Sequence, residues 1–552
     1  MGKLPSHAAQ PLSNTNQEIF LKHGFKPAPP PQGCTRRAAL QTASACITAG
    51  AAPWALAQGG AVPATLQIVG PWEFTSLSPA SSGFMLLNLQ VCETLLGASD
   101  NGRPQPALAE RWQVSADGLA WQFTLRPGAR FHNGNRVTAQ AVVQSLQRAQ
   151  KAPALLSNAP ITAITAEGDG ALRIRLARPH NALAAQLAHY STLVLAPESY
   201  GADGKVQRII GSGPYRIAKL VPPQQVETEA FDDYDRPAST PAPAIRSVAY
   251  LAAGRAETRA LMVEGGQAHL AYGLDPASLR RLKRHAKVGI SSVTLPRTVI
   301  VKLNATLPGL QDVRVRQALS LSIDRAGIAQ ALMGDEALAA TQLLPPTLAD
   351  WHHPTLPPLR HDPETAQRLL REAGWQRHAD GLRGPDGQPL TLAIRTFLDR
   401  PELPLVATAL QEQWRLAGIA VKVQIGNSGD IPMGHRDGTL QLALAARNYT
   451  NVPDPAGTLA GDFSAQGGDW GAMGWHSDAV VQALAELMRS TPDARRAQAL
   501  RATVTQTLQD ELPVIPIAWY RQHVAVNRRL QGVSLDPLER NYRLTEMHWS
   551  NA

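Results

Sequence analysis

The chain has 552 residues, 44% of them hydrophobic and 18% charged, the balance of a globular protein long enough for two or more lobes; a disordered chain is excluded. Its net charge of +9 is spread along the sequence, and no RNP-type, zinc-finger or basic-helix signature occurs, which argues against nucleic-acid binding. Cys34, Cys46 and Cys92 are the only cysteines and form no CxxC pattern, so thiolate metal sites are excluded.

Residues 1–57 read as an N-terminal extension followed by an export signal. Residues 1–33, with the tract PAPPPQG, read as disordered or as an early start. Thr35-Arg36-Arg37, the small and apolar stretch 38–52 and the A-x-A site Ala55-Leu56-Ala57 make a paired-arginine leader of the twin-arginine kind, too short to span a bilayer. Its removal would leave Cys92 alone, read as a small buried residue, with no intramolecular disulfide possible. Cys46, after Ala43-Ser44-Ala45, offers lipid anchoring as the alternative.

The remaining segments alternate strand and helix patterns. Residues 64–69 predict an opening strand, and PWEFTSLSP at 71–79 a loop. The apolar run 86–96 predicts a helix. Ala116-Asp117-Gly118 turns a β-hairpin whose second strand places Trp121, Phe123 and Leu125 on one face, and a helix capped by Thr138 follows. Gly211-Ser212-Gly213-Pro214-Tyr215 has no following Lys-Ser/Thr, and Pro214 lacks a backbone donor; a tight turn is favoured over a phosphate cradle. Residues 298–304 predict a strand leading into DVRVRQALSLSIDRAGIAQALMG at 312–334, a helix pair with Asp324 capping the second member and Gly334 ending it. A capped helix at 362–375, strands at 390–396, 419–425 and 440–446, and helices at 405–416, 479–488 and 495–509 continue the α/β alternation. LPVIPI at 512–517 returns the chain.

Several of these stretches, in consistent order, carry a resemblance. W-x-F-x-L-R-x-G-x-x-F-H-x-G from Trp121 with its following helix, the Gly-rich turn ending in Tyr215, FDDYDRP at 231–237, V-R-x-A-L-x-x-x-I-D-R-x-x-I from Val315 and HDPETAQRLLREAGW at 361–375 resemble the solute-binding proteins of ABC importers in the peptide/nickel class, solute-binding protein family 5. The resemblance implies an α/β fold of two lobes, a periplasmic binding protein type II-like fold (cluster C) with mixed sheets, flanking helices and a hinge near Thr298 and Val524. It implies residues 58–297 plus 523–552 as lobe 1, 298–522 as lobe 2, a peptide or metal-chelate solute, and delivery to ABC transporter permease subunits. The protein is expected to be periplasmic and monomeric, to meet the membrane only through the permease, and to need no cofactor.

By the same resemblance the loop 71–79 feeds the cleft, making Trp72, Phe74 and Met85 candidate lining residues, unless the aromatics plug a core. The loop Arg447–Gly457 follows a strand, where open α/β sheets bind ligands. Asp454 matches an aspartate that pairs with a ligand ammonium, or it simply begins an Asp-Pro turn. Arg447 could grip a carboxylate, and Tyr449 could stack on the ligand. Nickel-chelate relatives carry His where Ala456 stands, so no direct metal ligand is expected from this loop. No G-x-S-x-G or HExxH occurs, and an enzyme is not expected. A twin-arginine-exported hydrolase and a ligand-sensing adaptor on the same fold are the rival readings.

Overall fold

A computed structural model describes residues 63–152, 155–236, 241–379, 381–398, 400–450, 453–465, 467–489 and 493–550. The leader, its cleavage site and Cys46 lie outside the described residues.

Local signals produce the expected elements at many points. The turn at Gly118 (φ 69°) joins antiparallel strands Ala109–Val114 and Ala120–Leu125, and Trp121, Phe123 and Leu125 are 6%, 0% and 4% exposed. They seal a small four-stranded sheet against the helix Ala139–Lys151, whose Ala141 N–H donates to the Thr138 hydroxyl at 3.3 Å. Asp324 caps its helix by accepting the Gly327 N–H at 2.9 Å; that helix passes into a wider π-type turn at Ala329–Met333 and stops at left-handed Gly334.

The motif residues that carried the resemblance act as knots. Arg126 reaches Glu93 and Asp235, each at 3.2 Å, and the Tyr234 hydroxyl donates to Glu93 at 3.0 Å. Gly211 and Gly213 lie so close to the backbone of 90–91 that a Cβ at either would collide with a carbonyl oxygen. Their role is close approach of two chain segments.

The run 86–96 departs from expectation. The helix is Pro79–Asn88, begun by Pro79 in its first turn, and Gln90 follows at φ 54°. Val91 and Cys92 then pack into one core and Leu95 and Leu96 into another, so the run is apolar on all sides because it bridges two cores. Burial pushes the Cys92 thiol well above its ordinary range.

A 10-stranded mixed sheet organises the rest. Its order is Ala420–Gly426, Thr391–Phe397, Leu442–Asn448, Val288–Leu303, Val514–Asn527, Leu270–Tyr272, Leu66–Gly70, Ser247–Ala252, Gln225–Ala230 and Tyr215–Val221. The two central strands, of 16 and 14 residues, run antiparallel through both halves of the sheet. Val288–Thr294 pair with Arg521–Asn527, and Thr298–Lys302 with Val514–Trp519. Between them the ladder breaks at Leu295-Pro296-Arg297, where proline has no N–H to give. The cores divide there too. Val524 and Val526 pack with Leu66, Ile68 and Val248, whereas Val299, Val301 and Ile515 pack with Ile394 and Leu442.

Candidate functional site

The ladder break positions the site. The Pro296 carbonyl accepts the Tyr449 N–H at 3.0 Å, so the strand Leu442–Asn448 ends beside the break. Arg297 and Asn448, paired in register, both face a cavity of about 200 Å³ between the two halves of the sheet.

One wall of this cavity is aromatic. The Trp72 and Tyr272 rings lie 5.9 Å apart, and Tyr272 stacks on Tyr542 at 4.7 Å. Tyr250 fixes the Trp72 backbone by accepting its N–H at 3.1 Å and donating its own O–H to its carbonyl at 2.9 Å. Phe84, Leu87 and Asn88, one face of the helix Pro79–Asn88, continue the wall.

The other walls are charged. Arg297 pairs with Glu539 at 2.6 Å and Arg540 with Asp536 at 3.2 Å. Burial pulls the Arg297 guanidinium below its usual range while Glu539 opposes it. Arg400 lies 5.0 Å over the Tyr520 ring and has no carboxylate within ion-pair distance among the described residues. Burial opposes its charge, but a hydrogen bond to Tyr520 and the charges of Tyr520, Glu539 and Glu402 hold its pKa above the usual range; its planar fork suits a further carboxylate.

His189 is also on this wall, where burial lowers its pKa to about 4, so the ring is neutral. Its Nδ1 accepts the Ser191 N–H at 3.2 Å and lies 2.9 Å from the Ser191 hydroxyl. This pair caps a short 3-10 turn, and Ser191 is only 4% exposed, so the geometry is that of a cap rather than a presented nucleophile.

The predicted site residues divide. Trp72 lines the cavity. Phe74 and Met85 do not: at 1% and 0% exposure they belong to the core with Leu66 and Tyr215, and Met85 lies on the opposite face of its helix from Phe84 and Leu87. Tyr449 is likewise a core residue, 0% exposed and packed with Leu459 and Phe463; burial raises its hydroxyl pKa, and it has no face to offer a ligand. Arg447 is committed to Asp462 through two bonds of 2.6 and 2.7 Å. Asp454 caps the helix Pro455–Asp462 by accepting the Ala456 N–H at 2.9 Å, so the expected loop is helical from Pro455 onward. The second Asp454 oxygen makes no hydrogen bond or ion pair among the described residues, and burial raises its pKa.

Arg297, Arg400, Tyr272, Tyr542 and Glu539 had escaped the sequence reading. They come from four separate segments, Glu539 and Tyr542 sharing one, and no local pattern marks them.

The family model for bacterial extracellular solute-binding proteins, family 5 Middle, matches residues 103–470. The chain belongs to that family. Among family relatives it is similar to the dipeptide-binding protein of Escherichia coli (strain K12), 23% identical over 511 residues that cover 86% of this chain and 91% of that one. The glutathione-binding protein GsiB of Salmonella typhimurium is 28% identical over 64% of this chain and 67% of its own. In structure the family-5 chain is similar to NikA from Brucella suis in complex with Fe(III)-EDTA, with a TM-score of 0.79 and 22% identity over 89% of this chain and 100% of that one. This family-5 protein therefore has the two-lobed α/β fold of periplasmic binding proteins, with its cavity beside the strands that join the lobes.

Proposed function

We propose that the protein is the solute-capturing component of an ABC importer, holding a peptide-like or metal-chelate solute between its lobes and handing it to membrane permease subunits. The observation that carries this reading is Arg400, a guanidinium with no carboxylate within ion-pair distance among the described residues, lining with Trp72, Tyr272 and Tyr542 a cavity between the halves of the sheet. A solute carboxylate completes Arg400 and its apolar body covers the rings. The free oxygen of Asp454 takes a solute ammonium, and a metal arrives held by its own chelator.

Lobe 1 comprises residues 58–297 and 523–552 and lobe 2 residues 298–522. Closure turns on the ladder break at Pro296, the wider of the two interruptions in the pairing of the central strands, the other being the register shift at Val299/Ile300. The protein works outside the cytoplasm as a monomer, exported by the twin-arginine type signal in residues 1–57, which is then removed. It binds without turnover.

Thermal shift and small-angle scattering with dipeptides, opines, Ni(II)-histidine and Fe(III)-EDTA test this. A raised melting temperature together with compaction for at least one solute is expected. Silence across the panel overturns the reading. Turnover of an ester or peptide, abolished by one substitution, would replace it with a hydrolase.

A further inference from the structure

On the far side of Pro453, which lines both spaces, the 200 Å³ cavity is adjoined by a larger chamber of about 530 Å³. Three indoles line it: Trp112 and Trp121 from the hairpin of the small sheet, and Trp351. The hairpin register explains their presence. Trp121 sits opposite Val114 and Phe123 opposite Trp112, which puts all four side chains on one face. Phe123 is sealed in the core at 0% exposure, but Val114 is 43% exposed, so the apolar face outruns the core and continues as chamber wall.

The polar groups of the lining are Asn101, Arg103, Asn181, Asp350, Asp454 and Arg501. Asp454, half-buried, has its second oxygen unbonded among the described residues, with the Arg501 charge favouring its ionised form; Arg501 lies 5.6 Å over the Trp351 ring, and Asp350 faces Arg103 at 4.0 Å near solvent. Trp121 is 6% exposed, and its Nε1–H has no acceptor among the described residues. A carboxylate with no ion-pair partner among the described residues, beside flat apolar walls, fits an ammonium carried next to an aromatic ring: the charge pairs with Asp454, and the ring packs against indole. The volume lies within the ~300–1,000 Å³ usual for a small-molecule site.

We propose that this chamber is a specificity subsite, and that the preferred solute class is a short peptide whose first residue is aromatic. The inference rests on the solute-binding reading above. The first side chain fills the tryptophan chamber, the terminal ammonium meets Asp454, and the remainder passes Pro453 toward Arg400. A glycine in first position leaves the chamber to water.

Isothermal titration of tryptophyl-glycine and glycyl-glycine tests it on the wild type, Trp112→Ala and Ala349→Trp. Ala349 is an exposed rim residue, and a tryptophan there occupies the chamber. The wild type should prefer tryptophyl-glycine by about tenfold or more, the scale of one good aromatic contact. Trp112→Ala should reduce that ratio severalfold, and Ala349→Trp should bring it to about one, with folding of each verified by circular dichroism. Equal binding of the two peptides by the wild type, or a preference that survives in folded Ala349→Trp, overturns the inference. Binding of Fe(III)-EDTA or Ni(II)-histidine but of neither peptide overturns it while leaving solute binding intact. Silence from all four solutes overturns both.

Discussion

Two arginines with similar chemistry have opposite fates because of what stands next to them. Arg447, 16% exposed at its side chain, is saturated by Asp462, which is 5% exposed. Removing it strands a buried carboxylate, so Arg447→Ala should cost about 3–5 kcal/mol in urea denaturation. Arg400 has no carboxylate within ion-pair distance among the described residues and hydrogen-bonds Tyr520 instead, so its loss should cost the fold far less. Arg400→Ala should weaken binding of a carboxylate-bearing solute by about 1.5–3 kcal/mol in titration calorimetry, with the melting temperature of the free protein nearly unchanged. The reverse pattern would exchange their roles. Sequence alone cannot separate the two, since the partner that distinguishes them, Asp462, is a matter of packing.

At the scale of elements, caps were legible and burial was only half so. Asp324 and Asp454 each precede a helix and each accepts a backbone N–H. Asp324→Ala should lower stability by ~0.5–2 kcal/mol and leave solute affinity alone. Asp454 has two tasks that one substitution can divide. Asparagine caps as well as aspartate but carries no charge, so Asp454→Asn should keep stability within a few tenths of a kcal/mol while weakening solutes with an ammonium. Equal affinity for such a solute in wild type and Asp454→Asn would reduce Asp454 to a cap. The Asp-Pro pair was itself the missed signal for the helix at 455, since proline in the first helical turn has no donor to waste. Phe74 and Met85 show the limit of the same reasoning: their sequence neighbourhood places them near the cleft, but whether a loop aromatic such as Phe74, or the helix face that carries Met85, turns inward depends on what packs behind it.

For the whole molecule, the closure proposed above would pass through a close approach of two backbones. Gly102, at φ 82° in the small-sheet half, lies against the carbonyl oxygen of Pro453, and a Cβ there would collide with it. Gly102→Val should therefore weaken solute binding and reduce compaction in small-angle scattering; wild-type compaction in the variant would show that the contact is dispensable. Stability should also depend on pH through buried histidines. Burial lowers the pKa of both His189 and His269 to about 4, against 6.5 in an exposed ring, and they are 9% and 7% exposed. Between those values the unfolded chain binds protons that the folded chain does not. The contribution is thus complete above about pH 6.5 and is lost progressively as pH falls toward 4, on the order of 1–3 kcal/mol for each ring. Denaturant midpoints at pH 7 and pH 4.5 check the sign, and a higher midpoint at the lower pH would contradict it.

The sequence by itself determined the family, the α/β alternation, the hairpin around Gly118 and the caps at Thr138 and Asp324. These follow from periodicity, turn residues and short-range hydrogen bonds, all of which act within a few residues of chain. Only the tertiary structure decided that two long strands join the halves, that Pro296 breaks their ladder, and that Arg297, Arg400, Tyr272 and Tyr542 converge on one cavity. Arg447, a candidate to grip a ligand carboxylate, is held by Asp462, while Arg400 has no carboxylate within ion-pair distance among the described residues. Whether a charge serves the fold or the solute is settled by its neighbours in space, and those come from parts of the chain that no local pattern connects.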